Sequence, residues 1–220
     1  MTVELKKRIL TSLLLLIGLS LMYFYVFILI GALILIGIIC WIEFYSMISK
    51  IFSNNMLKNK VLRFFFKALC LFYLSCTIFF ILYVKSIKPE FQIFIIYSLL
   101  VSITSDIGGF TFGKFFKGMK LTKISPNKTI AGSIGSFFFS IMLIPFFMSL
   151  NSEYSIPYMI VITLLISIIS QLGDLFISFL KRKAKVKDTS DLLPGHGGVL
   201  DRVDGIIFAI PLGFLLFYFN

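Results

Sequence analysis

Histidine is almost absent from this chain and acids are scarce. One His and ten Asp or Glu stand against 21 Lys or Arg in 220 residues. A single histidine excludes a His-built metal cage. Cys40, Cys70 and Cys76 lie in apolar segments with no Cys-x-x-Cys pair and no neighbouring histidine, which excludes zinc and reads as inert buried thiols. Charged residues of either sign make up only 14%, too few to clothe a soluble domain of this size. The period-2 alternation of a membrane barrel is missing, which leaves helices as the way across a bilayer. No small-residue cleavage site follows the first apolar run, so Lys6, Lys7 and Arg8 introduce an uncleaved helix rather than a signal peptide. A soluble domain, a low-complexity linker and an internal repeat are missing too, and residues 1–220 read as one integral-membrane domain.

What is present is apolar bulk: 59% hydrophobic residues, 27 of all residues phenylalanine, and a mean hydropathy of +1.01. Several runs reach the roughly 20 residues that span a bilayer. The expected fold is all-α, a polytopic bundle of about seven transmembrane helices. Residues 9–47 are too long for one helix and are expected to form a hairpin broken near Tyr23 to Tyr25, an aromatic trio suited to the interface. Further spans are expected at about 62–84, 92–113, 133–150, 158–180 and 203–219. With a cytoplasmic N-terminus, every cation except Lys85 and Lys88 falls on the inner side. That lopsided split sets the orientation. The net charge of +11 then reads as cytoplasmic cations facing anionic lipid headgroups of the cell inner membrane, with no nucleic-acid partner.

Acids at membrane depth are expensive and are functional suspects. Asp106, Asp174 and Asp204 lie toward the cytoplasmic ends of their expected spans. Thr163, Ser167, Gln171, Asp174, Ser178 and Lys181 recur at helical spacing and form one polar stripe. Ser98, Ser102, Ser105 or Asp106, Gly109 and Gly113 form a narrow face of small residues. The serines and glycines alone read as helix packing. Asp174 points instead toward a Lys-rich loop and a second acidic pair, Asp201 and Asp204, which share a face if the last span is already helical there.

Residues 178–204 concentrate the rare polar chemistry of the chain. Three nearby carboxylates repel unless a cation compensates, and Mg²⁺ does so with carboxylate oxygens plus substrate phosphates. Gly195, Gly197 and Gly198 let the backbone approach a phosphate. Lys181, Arg182, Lys187 and Arg202 offset phosphate charge. His196, between glycines, is either a loop hydrogen-bonder or a phosphate contact. A second loop, residues 121–135, carries Ser125-Pro126-Asn127-Lys128-Thr129 before a glycine-bearing helix start, a place suited to an anion.

The segment Ser178, Lys181-Arg182, Lys187-Asp188, His196-Gly197-Gly198, Asp201-Arg202 and Asp204 resembles the signature of the phosphatidate cytidylyltransferases, also called CDP-diacylglycerol synthases. Gly173-Asp174, Ser105-Asp106 to Gly113, the Ser125 to Thr129 loop, Lys7-Arg8 and Trp41-Ile42-Glu43-Phe44 resemble further family segments. There are departures. Asn127 stands where the family often has a second lysine, Ile130-Ala131-Gly132 where it often has Trp-Glu-Gly, and Phe110 near a frequent Tyr. The resemblance implies transfer of CMP from CTP to phosphatidate, giving CDP-diacylglycerol and pyrophosphate for phospholipid biosynthesis. It implies Mg²⁺ on Asp174 and Asp201 and leaves open an additional monovalent cation. It places Lys187, Asp188, Arg202 and Asp204 beside them in the catalytic group. Ser125, Lys128, Thr129, Ser178, Lys181, Arg182, His196, Gly197, Gly198 and Asp106 would meet the substrates, and a homodimer is the assembly the family suggests. The alternatives are a CTP-dependent enzyme acting on another lipid phosphate, and a transporter or channel using the intramembrane aspartates as a charge path.

Overall fold

The computed structural model of the protein describes residues 17–18, 20–54, 56–122, 124–126, 128–150, 154–193 and 197–219. Its elements are helices: α1 Val26–Ile51, α2 Leu57–Ile87, a 3₁₀ turn Pro89–Phe91, α3 Gln92–Phe116, α4 Ile130–Ile141, α5 Ile144–Leu150, α6 Ile156–Lys183, α7 Leu200–Val203 and α8 Ile206–Tyr218. Five helical stretches are long and apolar enough to cross a membrane: α1, α2, the 3₁₀ turn with α3, α4 with α5, and α6.

The expected count of seven is therefore met by five among the described residues. The first expected span falls largely outside them. The predicted break is present, because Tyr25 is extended and caps α1. The expected last span is shorter than foreseen. It is a 13-residue helix, α8, separated from α7 by Asp204 and Gly205. The expected fifth span is interrupted at Met142 and Leu143, since Pro145 has no N–H and its ring crowds the carbonyl of Ile141. Helix α2, at 31 residues, is longer than the roughly 30 Å hydrocarbon layer requires. It ends two residues before Pro89, which disfavours helix at the residue preceding it.

The chain divides into two compact units. Unit 1 is Met1–Leu82 with Leu180–Val203, and unit 2 is Tyr83–Phe179 with Asp204–Asn220. Unit 2 has its hydrophobic core around Phe94, Tyr97, Val101, Phe147, Met159, Ile166 and Phe217, with Phe94 and Phe217 stacked 4.5 Å apart. Beside it lies a polar interior: Ser98, Ser102, Ser105, Ser140, Thr163, Ser167 and Ser170 are fully buried. In unit 1, Cys40, Met47 and Ile48 are buried, whereas Phe27, Phe64 and Phe72 are exposed. In unit 2, Phe110 and Phe115 are exposed. Buried hydroxyls together with many exposed phenylalanines are the distribution expected of helices whose surroundings are lipid tails.

Candidate active site

In unit 2, two of the sequence stripes meet. Ser102 bonds Ser170 at 2.7 Å and Ser105 bonds Ser167 at 2.9 Å, joining α3 to α6. Ser133 of α4 donates to Gln171 of α6 at 2.6 Å. Ser136 donates to the carbonyl of Ser105 at 2.7 Å. Glycine sets the spacing of α3 and α4, because a Cβ on Gly132 would lie 2.8 Å from the Gly109 carbonyl. The serines and glycines thus serve packing, as their small size suggested.

The close crossing opens at one end into a cavity of about 310 Å³ lined by Asp106, Gly109, Phe110, Leu121, Ser125, Lys128, Thr129, Gly132, Ser133, Ser136, Gln171 and Asp174. The chain reaches its rim through a tight reversal at Lys117 and Gly118, both with positive φ, where glycine is favoured. It then folds back on itself: Leu121 N–H donates to the Lys128 carbonyl at 2.8 Å and Ile130 N–H to the Met119 carbonyl at 3.0 Å. Pro126 sits in the turn whose Lys128 N–H returns to Ser125. Thr129 caps α4, its hydroxyl accepting from Gly132 N–H at 3.0 Å.

Lys128 pairs with Asp174, and both are about a quarter exposed. Ser178 donates to the other oxygen of Asp174 at 3.3 Å. Asp204 is buried, hydrogen-bonds Asp174, lies within the field of Asp106, and accepts from Gly205 N–H at 2.9 Å. Three carboxyl groups so close need a proton or a cation among them. A lysine, a capped helix N-terminus and the carboxyl groups of Asp106 and Asp174 on one cavity are the donors and acceptors a metal-linked phosphate requires.

In unit 1 the signature loop closes around two acids. Asp201 accepts from Lys181 Nζ at 2.7 Å, Thr189 N–H at 2.8 Å, the Thr189 hydroxyl at 2.9 Å and Gly198 N–H at 3.1 Å. Burial pushes its carboxyl up, but the Lys181 bond and charge and the two backbone donors outweigh it and hold Asp201 below the ordinary aspartate value. Glu43, on α1, is only 2% exposed and accepts from Thr189, Ser190, Val199 N–H and Leu200 N–H. Gly198 has Glu43 and Thr189 where a Cβ would stand. Gly197 has a φ of +81° and lies beside Asp188. Arg182, Lys187, Asp188 and Arg202 are exposed.

The structure brings Asp106, Ser125, Lys128, Thr129, Asp174, Ser178 and Asp204 together in unit 2, and Lys181, Gly197, Gly198 and Asp201 together in unit 1. His196 lies outside the described residues. The expectation that Asp201 and Asp204 share a helix face is corrected: the helix stops at Val203, Asp204 bonds the next backbone N–H, and the two acids belong to different units. Among the described residues, no three His, Cys, Asp or Glu side chains form a ready metal cage. The oxygen chemistry of Asp174 beside Asp106 and Asp204 fits a hard cation that completes its shell with phosphate and water. Asp201 has both oxygens engaged. Sequence reasoning set Glu43 aside as one member of a Trp-x-Glu-Phe run. A lone acid in an apolar helix was the signal that marks it.

Long apolar helices with hydroxyls inside and a phosphate-suited cavity define a multi-pass helical membrane protein with a polar site. The Cytidylyltransferase family model matches residues 3–220, and the chain belongs to that family. It is 37% identical over 159 residues to a phosphatidate cytidylyltransferase of Bacillus subtilis, covering 70% of this chain and 59% of that protein. It is 34% identical over 163 residues to one of Staphylococcus saprophyticus, covering 73% and 62%. It is 36% identical over 165 residues to one of Staphylococcus aureus strain COL, covering 74% and 63%. The alignments thus span about three fifths of these relatives' own length.

Proposed function

We propose that the chain transfers CMP from CTP to phosphatidate, giving CDP-diacylglycerol and pyrophosphate. The observation that carries this reading is the unit 2 cavity, where Lys128 and the capped start of α4 stand beside the partly exposed carboxylate of Asp174. The family membership and the names of the relatives support it. A phosphatidate oxygen forms a bond to the α-phosphorus of CTP, the bond from that phosphorus to the α–β bridging oxygen breaks, and pyrophosphate leaves with the electron pair. The attacking oxygen is already anionic, so no strong base is needed. The difficulty is bringing two polyanions together.

In this reading Lys128, Thr129 and Ser125 hold phosphate, and Asp174, with Asp106 and Asp204 near it, holds Mg²⁺. The metal supplies neutralisation of phosphate charge. The family resemblance would give Asp201 to the metal as well, although both of its oxygens are engaged by Lys181, Thr189 and Gly198 here. A seven-span arrangement with the N-terminus in the cytoplasm rests on the distribution of cations, and it puts the cavity where CTP is. A homodimer in the cell inner membrane belongs to the same proposal.

The test is pyrophosphate release by the purified chain in detergent with CTP, phosphatidate and Mg²⁺, each omitted in turn. Release that needs all three, with lipid-linked CMP as the other product, supports the reaction. Release of CDP instead would replace it with a CTP-dependent lipid kinase.

A further inference from the structure

We infer that Glu43 is a positioning residue: it pins the signature loop at both ends and, through Thr189, sets the carboxylate of Asp201. Glu43 lies on α1 among apolar neighbours, where a carboxylate is costly unless it is fully engaged. Its two oxygens take a full complement of donors from one segment. Thr189 and Ser190 come from the start of the loop, and Val199 N–H at 3.0 Å and Leu200 N–H at 2.8 Å come from its end. The last two bonds also satisfy amides at the start of the four-residue helix that carries Asp201. Between these two ends lie Gly197 and Gly198, and the loop is closed again by Leu193 N–H on the Gly197 carbonyl at 2.8 Å.

The link to Asp201 is one hydroxyl. Thr189 Oγ1 is 2.9 Å from a Glu43 oxygen and 2.9 Å from an Asp201 oxygen. A hydroxyl has one proton to give, so the two carboxylates share it. Changing Glu43 therefore changes what Asp201 receives, besides loosening the loop. The proposal concerns the geometry of the loop that carries Asp201; its kinetic arm rests on the cytidylyltransferase reading, whereas its exchange arm does not.

The full chain in detergent is compared with Glu43→Ala, Glu43→Gln, Thr189→Val and Thr189→Ser by amide hydrogen exchange and by steady-state kinetics. Losing bonds to a buried charge should speed exchange at Val199 and Leu200 by about 10- to 100-fold in both Glu43 variants, with the long helices unchanged. kcat should fall by a similar factor while KM for CTP moves less than about threefold, the split expected of misplacement rather than lost binding. Thr189→Ser should stay close to wild type and Thr189→Val should not. Glu43→Gln with Thr189→Val should be little worse than Glu43→Gln alone, because both act on one proton. Wild-type exchange at Val199 and Leu200 in Glu43→Gln overturns the pin. A KM effect without a kcat effect, or additive losses, overturns the route through Thr189. An inactive wild-type chain refutes the proposed reaction instead, and exchange still decides the pin.

Discussion

In unit 1 four donors close on Asp201, while in unit 2 Asp174 pairs with Lys128 and keeps a face on a cavity of about 310 Å³. Both are aspartates beside a lysine, but their surroundings give them different tasks. A carboxylate whose lone pairs are all taken holds backbone in place. A partly exposed carboxylate on a cavity wall, paired with a partly exposed lysine, is placed to exchange that cation for a metal or to share it with a phosphate. The polar residues of this chain are few, and its fold divides them between fixing a loop and furnishing a pocket.

Asp174→Asn is the sharpest test of that contrast. It removes the charge that Lys128 and a metal would share while leaving the shape of the side chain. Pyrophosphate release should fall at least about 1000-fold, and thermal stability in detergent should hardly move, because Asp174 is partly exposed. A large stability loss with retained activity would exchange the roles assigned to the two acids.

Lys181→Met probes the other side. It leaves Asp201 buried without its cation, with two backbone donors and a hydroxyl remaining. Removing one partner of a buried pair costs about 3–5 kcal/mol, and the remaining donors put the expected loss at the low end. It should appear as a lowered melting temperature and faster exchange in the signature loop.

The same pair predicts a pH dependence with a definite sign. The folded pKa of Asp201 is depressed despite burial, by Lys181 and by the amides of Thr189 and Gly198. Its contribution is therefore fully present above the unfolded value of about 3.9 and is lost as pH falls through the lower folded value. Loop exchange, corrected for its intrinsic pH dependence, should stay flat from neutral pH down to that range and rise below it. Asp201→Asn should abolish the rise.

Gly132→Ala tests the frame of the cavity. The new methyl would press on the Gly109 carbonyl at 2.8 Å and push α4 from α3. Overpacking of this kind costs about 1–3 kcal/mol. KM for CTP should rise with it, since the displaced helix start lines the pocket.

The long helices were legible because a 3.6-residue stripe of hydroxyls in an apolar run can face only another helix. The serines at 102, 105 and 167 were marked by spacing and are now paired, Ser105 with Ser167 and Ser102 with Ser170, which the stripe did not include. The break at Tyr25 was legible from its aromatic cluster. The end of α7 at Val203 was not: Gly205, two residues on, is a weak local signal, and Asp204 turns its carboxylate to the Gly205 N–H. The signature loop could be read as a collection of site residues, but its closure could not. Glu43 is more than 140 residues away in sequence from the donors it gathers, and no local pattern carries that pairing.

Thr129 offers the smallest effect and separates two uses of one hydroxyl. Its oxygen accepts from Gly132 N–H and so caps α4, the helix whose start lines the cavity. Thr129→Ala should cost about 1 kcal/mol for the lost cap. Thr129→Ser keeps the oxygen and should restore most of that stability. If the hydroxyl only caps, KM for CTP should follow stability across the two variants, rising slightly in Thr129→Ala. If it also donates its proton to a phosphate, KM in Thr129→Ala should rise about tenfold or more while Thr129→Ser stays near wild type. The second result would place Thr129 on the substrate and sharpen the contrast with Thr189, whose hydroxyl is spent between two protein carboxylates.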